Sequence, residues 1–537
     1  MQQFLQTFAD HVTGVLSGFD RLVLHGSLRL LSYTQGLLKY LCHHRILLKN
    51  FGQHSQELSD RLIVESLAAA EQAQRPVIDL PSSRDRKEEI ARDIAVRDRI
   101  TTGLICVLKT VELCRSYEVA PNPQTQRIEL RSRQRKCLHL YHYLIHPVFG
   151  FMHIRLQTWY PFQLQVCLNG REWLSRQLET AGINYKRERN CFTSIDDLPA
   201  AQRLMDQQLR APWKSLLRDL VRRVNPLAAE FQLHLPEETR QVEYYWSVPQ
   251  SEWATDVMFQ SRQQLVPLYE RLIRHGMASY GPGDVLRFFG RRVKRDGQPW
   301  DHFPGEVTTD VKSRSEGVRI KYRSNGNSLK MYDKGTVLRF EATLYEPKDF
   351  RVLRRPEGQP TAKPRWMPLR QSLADLSRRA QVSQAANNRL MDAQAAVESS
   401  QSLRELTAKL CRPVTKPART KSNGTRVAAR RFRALQPLAE KDAALLAAVS
   451  RPEFLQNGFR NRDIRPLLFE KTPRETDNQR QQAAAVSRQL ALLRAHGLIR
   501  KVPHTHRYML TDSGRSSITA ILASANASTA KLAALAV

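Results

Sequence analysis

Tyr332 and Glu341 stand among Arg319, Lys321, Arg323, Lys330, Lys334 and Arg339 in the stretch from Glu316 to Arg354. A phenol and a carboxylate set among cations are the groups that chemistry on a polyanion uses. The cations attract and hold the polyanion. The phenol becomes a nucleophile only where positive surroundings favour loss of its proton. The grouping has meaning only if these side chains share one surface, so the elements that carry them decide it.

Asn325-Gly326 is a strong two-residue hairpin signal, and Lys334-Gly335 marks a second turn. With loops at these points, Ser324 pairs with Asn327, Tyr322 with Leu329, Lys321 with Lys330 and Arg319 with Tyr332. In the second hairpin Met331 faces Leu338, Leu329 faces Phe340, Lys330 faces Arg339 and Ser328 faces Glu341. Strand side chains alternate with period two. Val318, Ile320, Tyr322, Leu329, Met331, Leu338 and Phe340 therefore share one face. Arg319, Lys321, Arg323, Ser328, Lys330, Tyr332, Arg339 and Glu341 share the other. Lys321, Lys330 and Arg339 then make a row of like charge, which destabilises a sheet. The row reads as a solvated outer face with Glu341 as counter-ion, or as a polyanion-binding face on which Tyr332 and Glu341 do chemistry.

The whole chain shares this charge. Its 537 residues carry a formal net charge of +32, spread from the N-terminal third to the C-terminus. Nucleic acid is the expected partner, DNA ahead of RNA, with affinity that falls steeply with salt. The 7 cysteines are far apart and form no Cys-x-x-Cys, so neither a zinc finger nor a disulfide framework is indicated, and reduced thiols in the cytoplasm fit. No apolar run reaches the roughly 18 residues of a membrane span, so no membrane partner is expected.

The pattern along the chain predicts a multidomain α+β and α/β protein: a central, largely antiparallel sheet with flanking helices, and a C-terminal winged helix. An N-terminal α/β region covers 1–125. It has a helix at 1–16, a strand at Phe19–Gly26 with Asp20 and Arg21 at its start, and helices near 34–48, 54–74 and 84–99. A central basic α+β domain covers 126–355. In it, a hairpin of Cys137–Ile145 and Phe151–Trp159 puts His139, Tyr141 and Tyr143 beside His153 and Arg155. These suit base stacking and phosphate contact, or pack under a neighbouring element. Val242–Trp246 reads as a strand carrying Tyr244 and Tyr245, and 251–278 as a helix. A helical connector at 356–410 and a basic flexible linker at 411–432 precede the last domain, 433–537.

That last domain reads as three helices followed by two short strands, and its GLIRKVPHTHRYMLTDSGR segment resembles the winged helices of bacterial regulators. Such domains set the third helix in the major groove and the wing on the backbone. Arg480, Gln481 and Arg488 are the groove-facing candidates, and Lys501, His504 and Arg507 the wing contacts.

The segment LKMYDKGTVLRFEATL, with Tyr332, Asp333, Lys334, Arg339 and Glu341, resembles the Tyr-Asp-Lys…Arg-x-Glu segment of plasmid and phage rolling-circle replication initiators. The resemblance implies that Glu341 binds a divalent metal, Mg²⁺ or Mn²⁺. It also implies that a tyrosine, one of Tyr332, Tyr244 and Tyr245, attacks the phosphodiester. The His-hydrophobe-His triplet common in such nickases is absent, and His153-Ile154-Arg155 comes nearest to it.

Overall fold

The structure, a computed structural model, describes residues 1–525 apart from 189, 236–237, 292, 294–304, 315–316, 360, 399–406, 421–425, 455–457, 470–475 and 504. After a short helix α1 (Gln2–Thr7), the chain enters the long strand β1 (Val12–Leu28). Phe4 and Phe8 are buried, but Val12 and Val15 belong to the strand, so the helix expected over 1–16 ends early. There follow α2 (Thr34–His43), α3 (Phe51–Gln72), the three-residue β2 (Val77–Asp79) and α4 (Lys87–Arg97). A meander of β3 (Gly103–Pro121), β4 (Ile128–His146), β5 (Gly150–Gln157) and β6 (Leu164–Asn169) comes next. Asn169 caps α5 (Gly170–Ala181), its side chain accepting from the amides of Arg171 and Glu172, and Gly182 ends the helix in the left-handed conformation. A hairpin of β7 (Tyr185–Glu188) and β8 (Cys191–Ile195) leads to α6 (Leu198–Gln207) and α7 (Trp213–Val224).

The second half repeats this path. A long strand β9 (Tyr244–Phe259) is followed by α8 (Arg262–Ala278), α9 (Pro282–Phe288) and a meander of β10 (Val307–Arg314), β11 (Gly317–Ser324), β12 (Asn327–Asp333) and β13 (Val337–Leu344). In each half the last meander strand lies beside the first long strand. One 11-stranded sheet results, in the order β10-β11-β12-β13-β9-β1-β6-β5-β4-β3-β2. All neighbours are antiparallel except β2 and β3. The fold is thus mixed α and β around a large central sheet flanked by helices. The expected boundary near 125 falls in the turn between β3 and β4, inside this sheet, so 1–125 and 126–355 share one layer.

One face of the sheet carries two large apolar cores. In the first half Leu22, Leu140, Ile154 and Val166 belong to a core with Leu41, Leu62 and Leu217 from α2, α3 and α7. In the second half Ile320, Leu329, Met331 and Phe340 pack with Leu272, Val285 and Leu390 from α8, α9 and α10 (Leu376–Gln394). α10 lies in the expected connector but is a core helix. Asn387 donates to the carbonyls of Trp253 and Phe340, and Arg379 to those of Val248 and Leu344. In the expected linker, Val414–Lys416 pairs with Arg430–Phe432 and Arg419–Thr420 with Arg426–Val427.

The last region has a separate core built on Leu445, Leu446, Ile464, Val486 and Leu490. Its order is α11 (Glu440–Val449), a bridging residue Phe459, α12 (Asn461–Leu468), α13 (Thr476–Ala495), β14 (Ile499–Lys501), β15 (Tyr508–Leu510) and α14 (Asp512–Ala525). Phe459 bridges Tyr508, and β14 pairs with β15. This is the connectivity of a winged helix.

Candidate functional site

The first hairpin has the expected register: Ser324 pairs with Asn327, Lys321 with Lys330 and Arg319 with Tyr332. Asn325 takes a left-handed φ of +54°, a conformation Asn tolerates better than most residues. The second hairpin is shifted by two residues. Asp333 pairs with Leu338, leaving a four-residue loop over 334–337 closed by Lys334 N–H donating to Val337 O. A shift of two keeps every side chain on its face but changes the partners. Glu341 now faces Lys330, and Arg339 faces Tyr332. The expected row of like charge becomes Asp310, Lys321, Lys330, Glu341, with acids at both ends. Lys330 forms an ion pair with Glu341 Oε1, and Tyr332 Oη donates to Oε2 at 2.6 Å.

β9 brings carboxylates to the same face. Ala254 is opposite Glu341, Asp256 opposite Arg339 and Glu252 opposite Thr343. On the next strand, β1, the register slips between Phe19 and Arg21. Phe19 pairs with Trp253 on the apolar side, their rings 4.9 Å apart, while Arg21 stands opposite Glu252. Asp20 is the extra residue of this bulge, which brings Arg21 onto the polar face beside it.

Two ionic groups result. In the first, Arg339 donates to Asp256 from Nε at 2.6 Å and Nη2 at 2.9 Å, and to Asp20 Oδ1 from Nη1 at 3.1 Å. Arg171, at the start of α5, donates to Asp256 Oδ2 at 2.8 Å. Asn190 before β8 donates to Asp20 Oδ1 at 2.6 Å and accepts from Arg339 at its carbonyl at 2.7 Å. Asp256, Arg171 and Arg339 are all buried. Burial raises the Asp256 pKa, but Arg339 and Arg171 outweigh it and leave it below the ordinary value.

The second group is a carboxylate triad. Oxygen atoms of Asp20, Glu252 and Glu341, from three different strands, lie within 4.8 Å of one another. Burial and then the repulsion of Glu341 raise the Glu252 pKa. Asp20 is also raised, because burial and the neighbouring carboxylates exceed the pull of Arg339 and Arg171. Glu341 goes the other way. Burial opposes ionisation, but Lys330, Tyr332 and Arg339 bring its pKa down to about 2. Three carboxylates this close favour protonation or a bound cation. Asp20 and Glu252 also line a cavity of about 420 Å³ together with Arg21, Arg92, His153 and Arg187.

Other expected site residues fall elsewhere. Tyr332 is 7% exposed, and burial with the adjacent Glu341 holds its pKa well above the usual phenol value. It supports Glu341 and is not placed to attack a substrate. Tyr244 Oη donates to Phe162 O at 2.6 Å and accepts from Asn225, and burial raises its pKa. Tyr245 lies beneath the guanidinium of Arg29. His139 and Tyr141 are buried and therefore give no stacking surface. Lys87 of α4 sits over the Tyr141 ring at 5.0 Å, and Ala91 and Ile94 pack into the same cluster. Arg155 pairs with Glu112 at 3.2 Å. Lys334 lies over the Tyr332 ring and Asp333 starts the loop. Arg319, Lys321 and Arg323 are half-buried on the polar face, Lys321 with a pKa lowered to about 8 by burial and by Lys330, Arg323 and Arg319. On the winged helix, Arg480, Gln481, Arg488 and Lys501 are exposed and Arg507 is half-buried, while His504 lies outside the described residues.

Glu252 and Asp256 were hidden because 251–278 carries apolar residues at helical spacing. The readable signal was the period-two run Glu252, Ala254, Asp256 against Trp253, Thr255, Val257. Tyr345, just past β13, was missed as well. It is 42% exposed, and Glu252 and Glu341 add to the burial that raises its pKa. Comparisons of the chain with protein-family models, curated proteins and solved structures give no match.

Proposed function

We propose that the protein binds nucleic acid, DNA foremost, and carries out phosphodiester transfer of replication-initiator or mobile-element type. The observation that carries this reading is the convergence of Asp20, Glu252 and Glu341 beside a basic surface. These three carboxylates are hard oxygen ligands suited to Mg²⁺ or Mn²⁺. A divalent ion held by these residues would supply Lewis-acid polarisation of a phosphoryl oxygen. Lys330, Lys321 and Arg323 on the adjoining face bind the phosphate chain, and the exposed residues of α13 and β14 choose the site. Tyr345 is the exposed tyrosine beside the triad. Its phenol gives up its proton to water as the oxygen attacks phosphorus, the P–O3′ bond breaks, the leaving 3′ oxygen takes a proton from water, and a 5′-phosphotyrosine remains. With 7 free thiols described and no helix among the described residues long and apolar enough to cross a membrane, the proposed location is the cytoplasm.

The test is incubation with labelled single-stranded and duplex DNA in Mn²⁺. Cleavage lost in Glu252→Gln supports the site, and a covalent adduct lost in Tyr345→Phe supports the tyrosine. Cleavage without an adduct, unchanged in Tyr345→Phe, assigns the attack to water. No cleavage across a broad sequence pool overturns the enzymatic reading. It leaves a non-catalytic regulator or RNA-binding protein, a reading favoured by one feature: both Glu341 oxygens already have protein partners.

A further inference from the structure

The cavity beside the triad has a composition that the carboxylates alone do not explain. At about 420 Å³ it is of small-ligand size. It lies between the sheet, α4 and the α5–β8 region. Phe151 is the apolar side chain of the sheet wall, while Met152 and Leu168 turn into the core on the opposite face of the sheet. Arg92 covers the Phe151 ring at 4.0 Å and also reaches Glu88 and Glu172. Arg21 donates to Cys167 Sγ at 3.3 Å and stands opposite Glu252. An anion touching Arg21 therefore lies next to the triad.

His153 is the informative residue. It pairs across the sheet with Cys167 in the cavity wall. Its ring lies against those of Tyr143 and Tyr141, 4.9 Å and 5.7 Å away. Burial, then the neighbouring Arg21, Arg155 and Lys87, lower its pKa to about 3, so the ring is neutral and presents one donor and one acceptor. An imidazole in a cavity wall offers a ligand one donor and one acceptor to match.

We infer that this cavity is a nucleotide site: one nucleoside monophosphate unit binds with phosphate toward Arg21 and Arg92 and base along Phe151 toward His153. The inference rests on the proposed phosphodiester chemistry, for which it names the unit held next to the reacting phosphate. The unit is a free nucleotide or one nucleotide of a chain, and the same chemistry recognises both.

Calorimetric titration of the full chain, with Ca²⁺ replacing Mg²⁺, tests it using each of the four deoxynucleoside monophosphates and short single-stranded oligonucleotides. The expected result is binding that weakens at least tenfold in Arg92→Gln. In His153→Leu the preference among bases is lost while oligonucleotides still bind. Monophosphates that bind alone identify a free-nucleotide site; binding by oligonucleotides alone identifies a chain residue. Binding unchanged in both variants, or absent for all probes, overturns the inference. Cleavage in Mn²⁺ that persists without nucleotide binding removes the cavity assignment alone. Nucleotide binding without cleavage removes the enzymatic reading alone.

Discussion

Removing one acid from the triad should make the protein more stable and end its response to metal. In Glu252→Gln the shape is kept and one charge is lost. Two ionised carboxylates within 4.8 Å of each other repel by about 3.5 kcal/mol, taken at that outer distance and an effective dielectric of about 20. Arg21 opposite Glu252 and the Gln250 amide at 3.1 Å from its Oε1 offset part of this. A net gain of about 1–2 kcal/mol is expected in EDTA, a rise of a few degrees in melting temperature. Metal separates the two proteins. At about 100 times its dissociation constant it stabilises the wild type by roughly 2.7 kcal/mol and leaves the variant unchanged. Acidity has a defined sign too. Asp20 and Glu252 have raised pKa values in the fold, so the folded state holds their protons more tightly. Without metal, their contribution falls as pH rises from the unfolded carboxylate values through the raised ones. Glu341 contributes oppositely, with stability present above 4.5 and lost as pH falls toward about 2. Scanning calorimetry in EDTA and in Mn²⁺ measures both effects. A variant that melts lower than wild type in EDTA, or that gains equally from Mn²⁺, would refute this account of the triad.

Three other outcomes are expected. Asp256→Asn leaves Arg171 and Arg339 buried without their shared counter-ion, at a cost of about 3–5 kcal/mol; denaturant unfolding that differs from wild type by under about 1 kcal/mol would count against the network. Lys321 loses its proton near pH 8, so DNA affinity drops between pH 7 and 9, and Lys321→Arg flattens that drop in a fluorescence anisotropy titration. Deleting 433–537 removes sequence selectivity but keeps salt-sensitive binding; selectivity unchanged by the deletion would take site choice away from the winged helix.

Local pattern was enough for much of this architecture. The Asn325-Gly326 turn and the alternation around it set one hairpin register and both faces of the meander, since period and turn are properties of neighbouring residues. The winged helix was legible for the same reason, its helices being amphipathic and its core separate. The site was not. Loop length at 334–337 set the partner of Glu341, and a shift of two residues leaves no trace in an alternating pattern. Tyr332 and Tyr244 looked reactive in sequence, but the packing around them buried both hydroxyls. Asp20, Glu252 and Glu341 are separated by most of the sheet-forming chain, and only the pairing of β1 with β9 and of β9 with β13 brings them together. The sequence by itself determined the charge, the alternation and the turn types, because these depend on residues a few positions apart. The tertiary structure decided which carboxylates meet, because that depends on strand order, on one bulge and on the length of one loop.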